Sequence, residues 1–321
     1  MFTLRQYLLA LLDSRGLTRT LGEIDVCRDE QGRPCFSAGN SAAVFRIRLG
    51  GRIRSLRCYL RPMRHLKEIY GQRLLEKELY LHTSPETGVW VDTVLGDWIE
   101  GSTLHETVAQ AAALRDRESL QILVRLFDRL ALALVTDNRA HGDLKPENII
   151  VGDDGTLCPI DFDASYLPAF AGEISPELGT AAYQHPARTA ADFDERIDDY
   201  PAALISTALH ALAEDPTLWD RYGSSDGLLY TPQRIASDPA YRETLALFEK
   251  RGMAVQYRIA QLLTAPTLRL FGLAELLAEA VREKPAVRSG TEAETPELFV
   301  ENGRWGYRTA ERVVVAPLYD N

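Results

Sequence analysis

A chain of 321 residues with a formal net charge of −10 has room for a two-lobed domain and a short appendage, and its acidity argues against nucleic acid as a main partner. No apolar run reaches membrane-spanning length, and the segment 8–12 lacks the basic start and small-residue cleavage site of an export signal, so a cytoplasmic protein without membrane contact is expected. The four cysteines, Cys27, Cys35, Cys58 and Cys158, have no CxxC spacing, which favours free thiols over disulfides or zinc.

In chain order, Phe2, Leu4, Tyr7, Leu8, Leu11 and Leu12 recur at helical spacing, and the spacing predicts an amphipathic helix ending near Ser14-Arg15-Gly16. From Ile24 to Leu60 short strands follow, broken at Gln31-Gly32 and Gly50-Gly51. Within them, residues 37–44 (SAGNSAAV) are small enough for a backbone to approach phosphates and donate N–H groups to them. No acid occurs between Glu30 and Glu68, while Arg46, Arg48, Arg52, Arg54, Arg57, Arg61 and Arg64 all fall there. Strand alternation puts several on one sheet face, which is either a solvated surface or a docking surface for an acidic partner. The charge is uneven beyond this stretch: residues 1–95 hold 15 Lys plus Arg against 10 Asp plus Glu, and residues 96–321 hold 21 against 36.

Residues 65–82, with Ile69, Leu74, Leu75 and Leu79 apolar, read as a second helix. Residues 94–101 (VLGDWIEG) read as an apolar strand followed by a polar break, and Leu120 to Leu134 as a long buried helix. After it comes HGDLKPENIIVGDDGTLCPIDFD, residues 141–163: a polar loop, the strand Ile149-Ile150-Val151, a turn at 152–155, and a return strand at 157–160. Helices resume at Arg196-Ile197-Asp198-Asp199-Tyr200 and run to about Glu283, with breaks at Pro216 and at 223–227. Residues 284–296 are polar and read as a linker. Residues 297–321 then give a strand, an Asn-Gly turn, a strand and a proline-led extension, similar to one unit of a WG β-repeat.

Transfer of a terminal phosphoryl group needs a proton acceptor for the attacking hydroxyl, a cation against the phosphate, and oxygen ligands for magnesium. In 141–163, Asp143 fits the first need, Lys145 the second, and Asn148 with Asp161, at one end of the hairpin, the third. HGDLKPEN followed by DFD resembles the catalytic loop and metal-binding motif of the protein-kinase-like superfamily, and the resemblance spans roughly residues 24–283. It implies an α+β bilobal fold: a β-rich N-lobe with one main helix over 1–95, a hinge and helical C-lobe over 96–283, then the linker 284–296 and the β unit 297–321. ATP and Mg2+ are the implied cofactors and a protein the implied substrate.

Carried onto this sequence, the resemblance makes residues 37–44 the phosphate-covering loop, with Gly39, Asn40, Ser41 and Val44 against nucleotide. Arg57 stands where kinases carry the strand lysine that grips the phosphates, with Glu76, or failing that Glu78, as its helix partner. Adenine would bond to the backbone at Asp97, Trp98 and Ile99. Thr180, in GTAAYQHPA (179–187), would bond Asp143 and Lys145 and shape a Ser/Thr acceptor site, and Asp198 would hold the backbone N–H groups of the catalytic loop. The departures carry consequences. A forked guanidinium at Arg57 is no simple replacement for a compact ammonium and lowers the expected activity. Gly142 replaces the arginine that clasps an activation-loop phosphate, so activation by such phosphorylation is not expected to be required. Asp163 replaces a flexible glycine, and Ala187 an ion-pairing glutamate. Three readings follow: a protein Ser/Thr kinase, which Lys145 and the 179–186 segment favour; a nucleotide-binding or inactive pseudokinase scaffold, which Arg57 and Ala187 favour; and a small-molecule kinase of the aminoglycoside or choline type, suggested by HGD and DFD.

Overall fold

The computed structural model describes residues 1–152 and 155–282 in full, and of the tail the backbone of 297–301, 304–308 and 313–315. The chain divides into two compact units, Met1–Ile99 and Glu100–Asn321.

The first unit is a curled antiparallel sheet with one helix on its apolar face. Helix α1 (Leu4–Leu12) starts in a capping box: the Thr3 hydroxyl accepts from the Gln6 N–H, and the Gln6 side chain accepts from the Thr3 N–H. Strands β1 (Asp25–Val26), β2 (Phe36–Ala38), β3 (Ala42–Leu49) and β4 (Arg52–Tyr59) follow, as expected from the alternating pattern. Then come α2 (Leu66–Tyr70), β5 (Leu74–His82) and β6 (Gly88–Asp97), giving the sheet order β1-β3-β4-β6-β5, with β2 hairpinned onto β3. Ala43, Phe45 and Ile47 of β3, Leu56 and Cys58 of β4, and Leu79 and Leu81 of β5 point to one side, where Tyr7, Ala10 and Leu11 of α1 cover them. The buried Tyr7 hydroxyl donates to the Tyr59 carbonyl at 2.6 Å, which satisfies its polar end.

The expected helix over 65–82 is not formed. One helical turn, α2, stops at Gly71 (φ 52°), a short 3-10 turn follows, and the rest of the segment is β5. The apolar residues that suggested helical periodicity serve a strand instead: Leu74, Leu75 and Leu79 pair with Val94, Thr93 and Val91 of β6. A bulge between Leu75 and Leu79, with Lys77 at φ 50° and its N–H on Asp92 at 2.7 Å, breaks the period-two pattern that would have announced a strand. Long-range pairing here overrides local propensity.

The second unit is mainly helical. A small sheet of β7 (Gly101–Thr103), β8 (Ile149–Gly152) and β9 (Leu157–Pro159) lies beside α3 (Leu104–Ala113) and α4 (Arg117–Thr136). Beyond it run α5 (Asp199–Glu214), α6 (Leu218–Tyr222), α7 (Pro239–Arg251), α8 (Ala254–Leu262) and α9 (Leu273–Arg282). The long apolar segment before the polar loop is the buried post expected of it: Leu120, Phe127, Leu130 and Ala131 of α4 are fully buried against Ile205, Leu209 and Leu212 of α5 and their neighbours. Asp128 inside this packing accepts from the Ser206 hydroxyl at 2.7 Å and meets His210 Nε2 at 2.8 Å, so its carboxylate is not left bare. In the tail, β10 (Glu297–Glu301), β11 (Arg304–Arg308) and β12 (Val313–Val315) form an antiparallel meander. The expected linker at 284–296, the Asn302-Gly303 turn and the extension at 317–320 lie outside the described residues.

Candidate active site

The loop 140–148 is fixed at both ends by backbone pairing. Ala140 and Tyr166 exchange N–H···O bonds at 3.1 and 2.9 Å, and the Ile160 N–H donates to the Asn148 carbonyl at 2.8 Å, one step beyond the Ile149–Pro159 pair of β8 and β9. That register puts Asn148 and Asp161 at the same end of the hairpin. Asp161 itself is held at φ 68°, a left-handed conformation that short acidic side chains tolerate and that re-aims the chain.

Between these ends, four side chains expected from the sequence come together. Asp143 Oδ1 accepts from the Thr180 N–H at 2.6 Å, and Asp143 Oδ2 lies 3.5 Å from Lys145 Nζ. Lys145 Nζ donates to Thr180 Oγ1 at 2.9 Å. Asn148 Nδ2 donates to the Asp143 carbonyl at 2.9 Å and to its Oδ2 at 3.2 Å, which commits the amide nitrogen and leaves Oδ1 as the atom available to a cation. Asp143 and Lys145 keep part of their surface in solvent, with side-chain exposures of 18% and 23%.

Behind this cluster, buried groups hold the backbone. Asp198, 1% exposed, accepts from the His141 N–H and from the Gly142 N–H, the latter at 3.0 Å. Burial pushes its carboxyl above the ordinary value, and His141, the two N–H donors and Arg188 oppose that shift. His141 is fully buried; Nε2 faces the Ile160 carbonyl at 2.8 Å and Nδ1 accepts from the Asp143 N–H at 3.4 Å, an arrangement suited to the tautomer with its proton on Nε2. Its ring packs against Phe162, with centroids 5.0 Å apart. Gly142 sits at φ 82°, and a Cβ there would lie 2.0 Å from the Ala164 carbonyl oxygen, so this backbone has no room for a side chain, the arginine expected from the resemblance included.

Arg188 and Gln184 were not singled out by the sequence. Arg188, 9% exposed, donates from Nη1 to the Gly142 carbonyl at 3.0 Å and also to Gln184 Oε1. Burial lowers the affinity of its guanidinium for its proton, while the carboxylates of Asp198 and Asp143 raise it. The only local hint was an arginine directly after the His185-Pro186-Ala187 motif; nothing in its neighbours signals burial.

The nucleotide residues expected on the first unit occupy one hairpin and the strands beside it. Gly39, Asn40 and Ser41 form the turn between β2 and β3, closed by the Gly39 N–H on the Ala42 carbonyl at 2.9 Å. Val44 pairs with Arg57 of β4, and Arg57 pairs with Val94 of β6. The Arg57 guanidinium lies 5.8 Å from the centre of the Tyr59 ring. Asp97 ends β6 and pairs with Arg54 at 2.8 Å, and Trp98 lies under the Arg46 guanidinium at 5.6 Å. Glu76 requires correction: it is on a strand, not a helix, and its carboxylate lies 3.6 Å from Lys67 Nζ on an exposed surface. Its alternative, Glu78, is 1% exposed and accepts from the N–H groups of Arg19, Thr20 and Leu21 and from the Thr20 hydroxyl. The bulge at Lys77 turns Glu78 inward to cap this loop, so it too is diverted from the role of helix partner.

No family model matches the chain. It is similar to the serine/threonine-protein kinase PknL of Mycobacterium tuberculosis, 28% identical over 213 residues, which are 63% of this chain and 52% of that protein. It is also similar to CBL-interacting protein kinase 17 of Oryza sativa, 28% identical over 51% of this chain and 35% of the relative, and to the serine/threonine-protein kinase chk1 of Schizosaccharomyces pombe, 25% identical over 48% and 31%. The matched region thus spans between about a third and a half of these relatives' lengths. These similarities support a place in the kinase-like superfamily, and the mixed α+β architecture, a curled sheet followed by a helical unit, is compatible with it.

Proposed function

We propose that this chain is an ATP- and Mg2+-dependent phosphotransferase of the Ser/Thr protein kinase type, acting on a protein hydroxyl. The observation that carries the reading is the closed set Asp143–Lys145–Thr180, in which one carboxylate is aimed by a backbone N–H and one ammonium is shared between that carboxylate and the threonine hydroxyl. Asp143 orients the acceptor hydroxyl and takes its proton, and Lys145 neutralises charge on the transferred group. Asn148 and Asp161 would hold magnesium, which when bound spreads the charge of the phosphates; two protein oxygens suit an ion that keeps water and phosphate in its shell. Thr180 fixes Lys145 and frames the acceptor hydroxyl. The test is transfer of radiolabelled phosphate from Mg-ATP to a generic protein substrate, with Asp143→Asn expected to abolish it. Transfer that survives Asp143→Asn, or ATP turnover with sugars, choline or aminoglycosides but not with proteins, sinks this assignment.

Two observations favour a second reading, a nucleotide-binding scaffold with little or no turnover. Arg57 replaces the strand lysine, and Glu76 sits on β5 beside Lys67. Losing one well-placed electrostatic contact of this kind costs about a hundred- to a thousandfold in rate. A thermal shift with Mg-ATP but no phosphoryl transfer supports the scaffold. The tail is read as one WG-like β unit, and the chain as cytoplasmic.

A further inference from the structure

We propose that Arg188 is a positioning residue for the transfer loop, holding Asp143 in line by clamping the peptide that precedes it; this role deepens the phosphotransfer reading and rests on it. Gly142 is gripped at both ends. Its N–H donates to Asp198 Oδ1 at 3.0 Å and its carbonyl accepts from Arg188 Nη1 at 3.0 Å. The carbonyl belongs to the peptide whose N–H is that of Asp143, so rotation of this unit would swing the carboxylate directly.

The clamp is itself mounted. The Arg188 N–H donates to the His185 carbonyl at 2.9 Å, the Ala187 N–H to His185 Nδ1 at 3.1 Å, and His185 Nε2 meets the Ala265 carbonyl at 3.1 Å just beyond α8. Gln184 Oε1 takes a second bond from the same Nη1. A Cβ on Gly179 (φ 71°) would lie 2.7 Å from Gln184 Nε2, 2.8 Å from the Gly142 carbonyl oxygen and 3.0 Å from Asp143 Oδ1, so the acceptor segment closes directly over the clamp. Arg188 Nε and Nη2 are buried without a hydrogen-bond partner. The guanidinium charge faces Asp198 and Asp143, the two carboxylates that hold and perform the proposed chemistry. Because Gly142 has no room for an arginine of its own, this cation reaches the loop from the segment 46 positions further along.

The test compares wild type with Arg188→Met, Arg188→Lys and Gln184→Ala, reading hydrogen exchange of the 141–145 backbone and steady-state transfer kinetics. In Arg188→Met, exchange of the Gly142 and Asp143 amides is expected to rise by about tenfold or more, the change that follows from losing one charge-assisted hydrogen bond. Turnover is expected to fall about ten- to a hundredfold with KM for ATP within about twofold, since the clamp acts on orientation and not on nucleotide affinity. Arg188→Lys should recover part of each effect, and Gln184→Ala should give a weaker version. Unchanged exchange in Arg188→Met, or a rise confined to KM, overturns the proposal; so does failure of all three variants to fold, which makes Arg188 a structural residue. If wild type transfers no phosphate, the phosphotransfer reading fails separately, and the exchange data alone decide whether Arg188 holds the loop.

Discussion

Gly142→Ala is expected to destabilise the second unit by an amount out of proportion to one methyl group. At φ 82° an L-residue costs about 1–2 kcal/mol. The new Cβ would also lie 2.0 Å from the Ala164 oxygen and 2.7 Å from its carbonyl carbon. Neither side can yield easily: Asp198 and Arg188 hold Gly142, and the Ala140–Tyr166 pair holds the chain on both sides of the contact. Overpacking of that kind adds about 1–3 kcal/mol, for a total of about 2–5 kcal/mol and a fall in Tm of about 2–4 °C per kcal/mol in a unit of this size. Gly172 supplies the control, since it has φ 85° with nothing within 4 Å of its virtual Cβ, so Gly172→Ala bears the conformational cost alone. Urea unfolding followed by circular dichroism, with m unchanged, measures both. Equal losses in the two variants would refute the steric argument, as would a Gly142→Arg variant as stable as wild type.

Three further outcomes are expected. Burial pushes Asp199 up to about 7, against the pull of Arg196 and the Leu270 N–H. A carboxyl raised in the folded state contributes stability that is complete below its unfolded value near 4 and is lost as pH rises through 7, so Asp199→Asn should match wild type near pH 4 and exceed it at pH 8, by at most about 4 kcal/mol for a shift of this size; parallel thermal melts that keep a constant gap across that window contradict this. Glu78→Ala strips the acceptor from the Thr20 and Leu21 N–H groups and the Thr20 hydroxyl, while the Arg19 N–H keeps the Glu78 carbonyl at 3.0 Å, and should cost the first unit about 2 kcal/mol or more, with Glu78→Gln intermediate and the Thr20 and Leu21 amides exchanging faster. Thr180→Ala removes the hydroxyl partner of Lys145 but not the N–H on Asp143, so transfer should drop about tenfold to a hundredfold while Thr180→Ser stays near wild type; an equal drop in both variants would show that the methyl group, not the hydroxyl, matters.

The parts of the site that could be read in advance are those that lie close together in sequence. Asp143, Lys145 and Asn148 share one loop, and the turn chemistry between β8 and β9 brings Asp161 back to the same end. Thr180 came from its motif. What could not be read depends on long-range pairing. The segment 65–82 has apolar residues that fit either period, and the bulge at Lys77 removes the alternation that would have decided for a strand. Glu78 was a candidate for the wrong task because its partners, Arg19 to Leu21, lie nearly sixty residues earlier. Arg188 was invisible for the same reason: its importance is a relation to Gly142, not a property of its neighbours.

The geometry around Gly142 bears on how such a site would be controlled. An arginine at this position could couple the loop to a phosphate added elsewhere, but the Ala164 carbonyl occupies the space it would need. In its place stand a buried carboxylate on the N–H and a buried guanidinium on the carbonyl, and both partners belong to the folded unit itself. Asp163, in the turn where a flexible glycine would permit a flip, is 3% exposed. Order that a modification would otherwise supply is thus built in when the unit folds. Sensitivity of catalysis should therefore track the stability of the 184–198 segment, and phosphatase treatment of the purified chain should leave its transfer rate unchanged, whereas a fall of tenfold or more would show that a phosphate does set the loop.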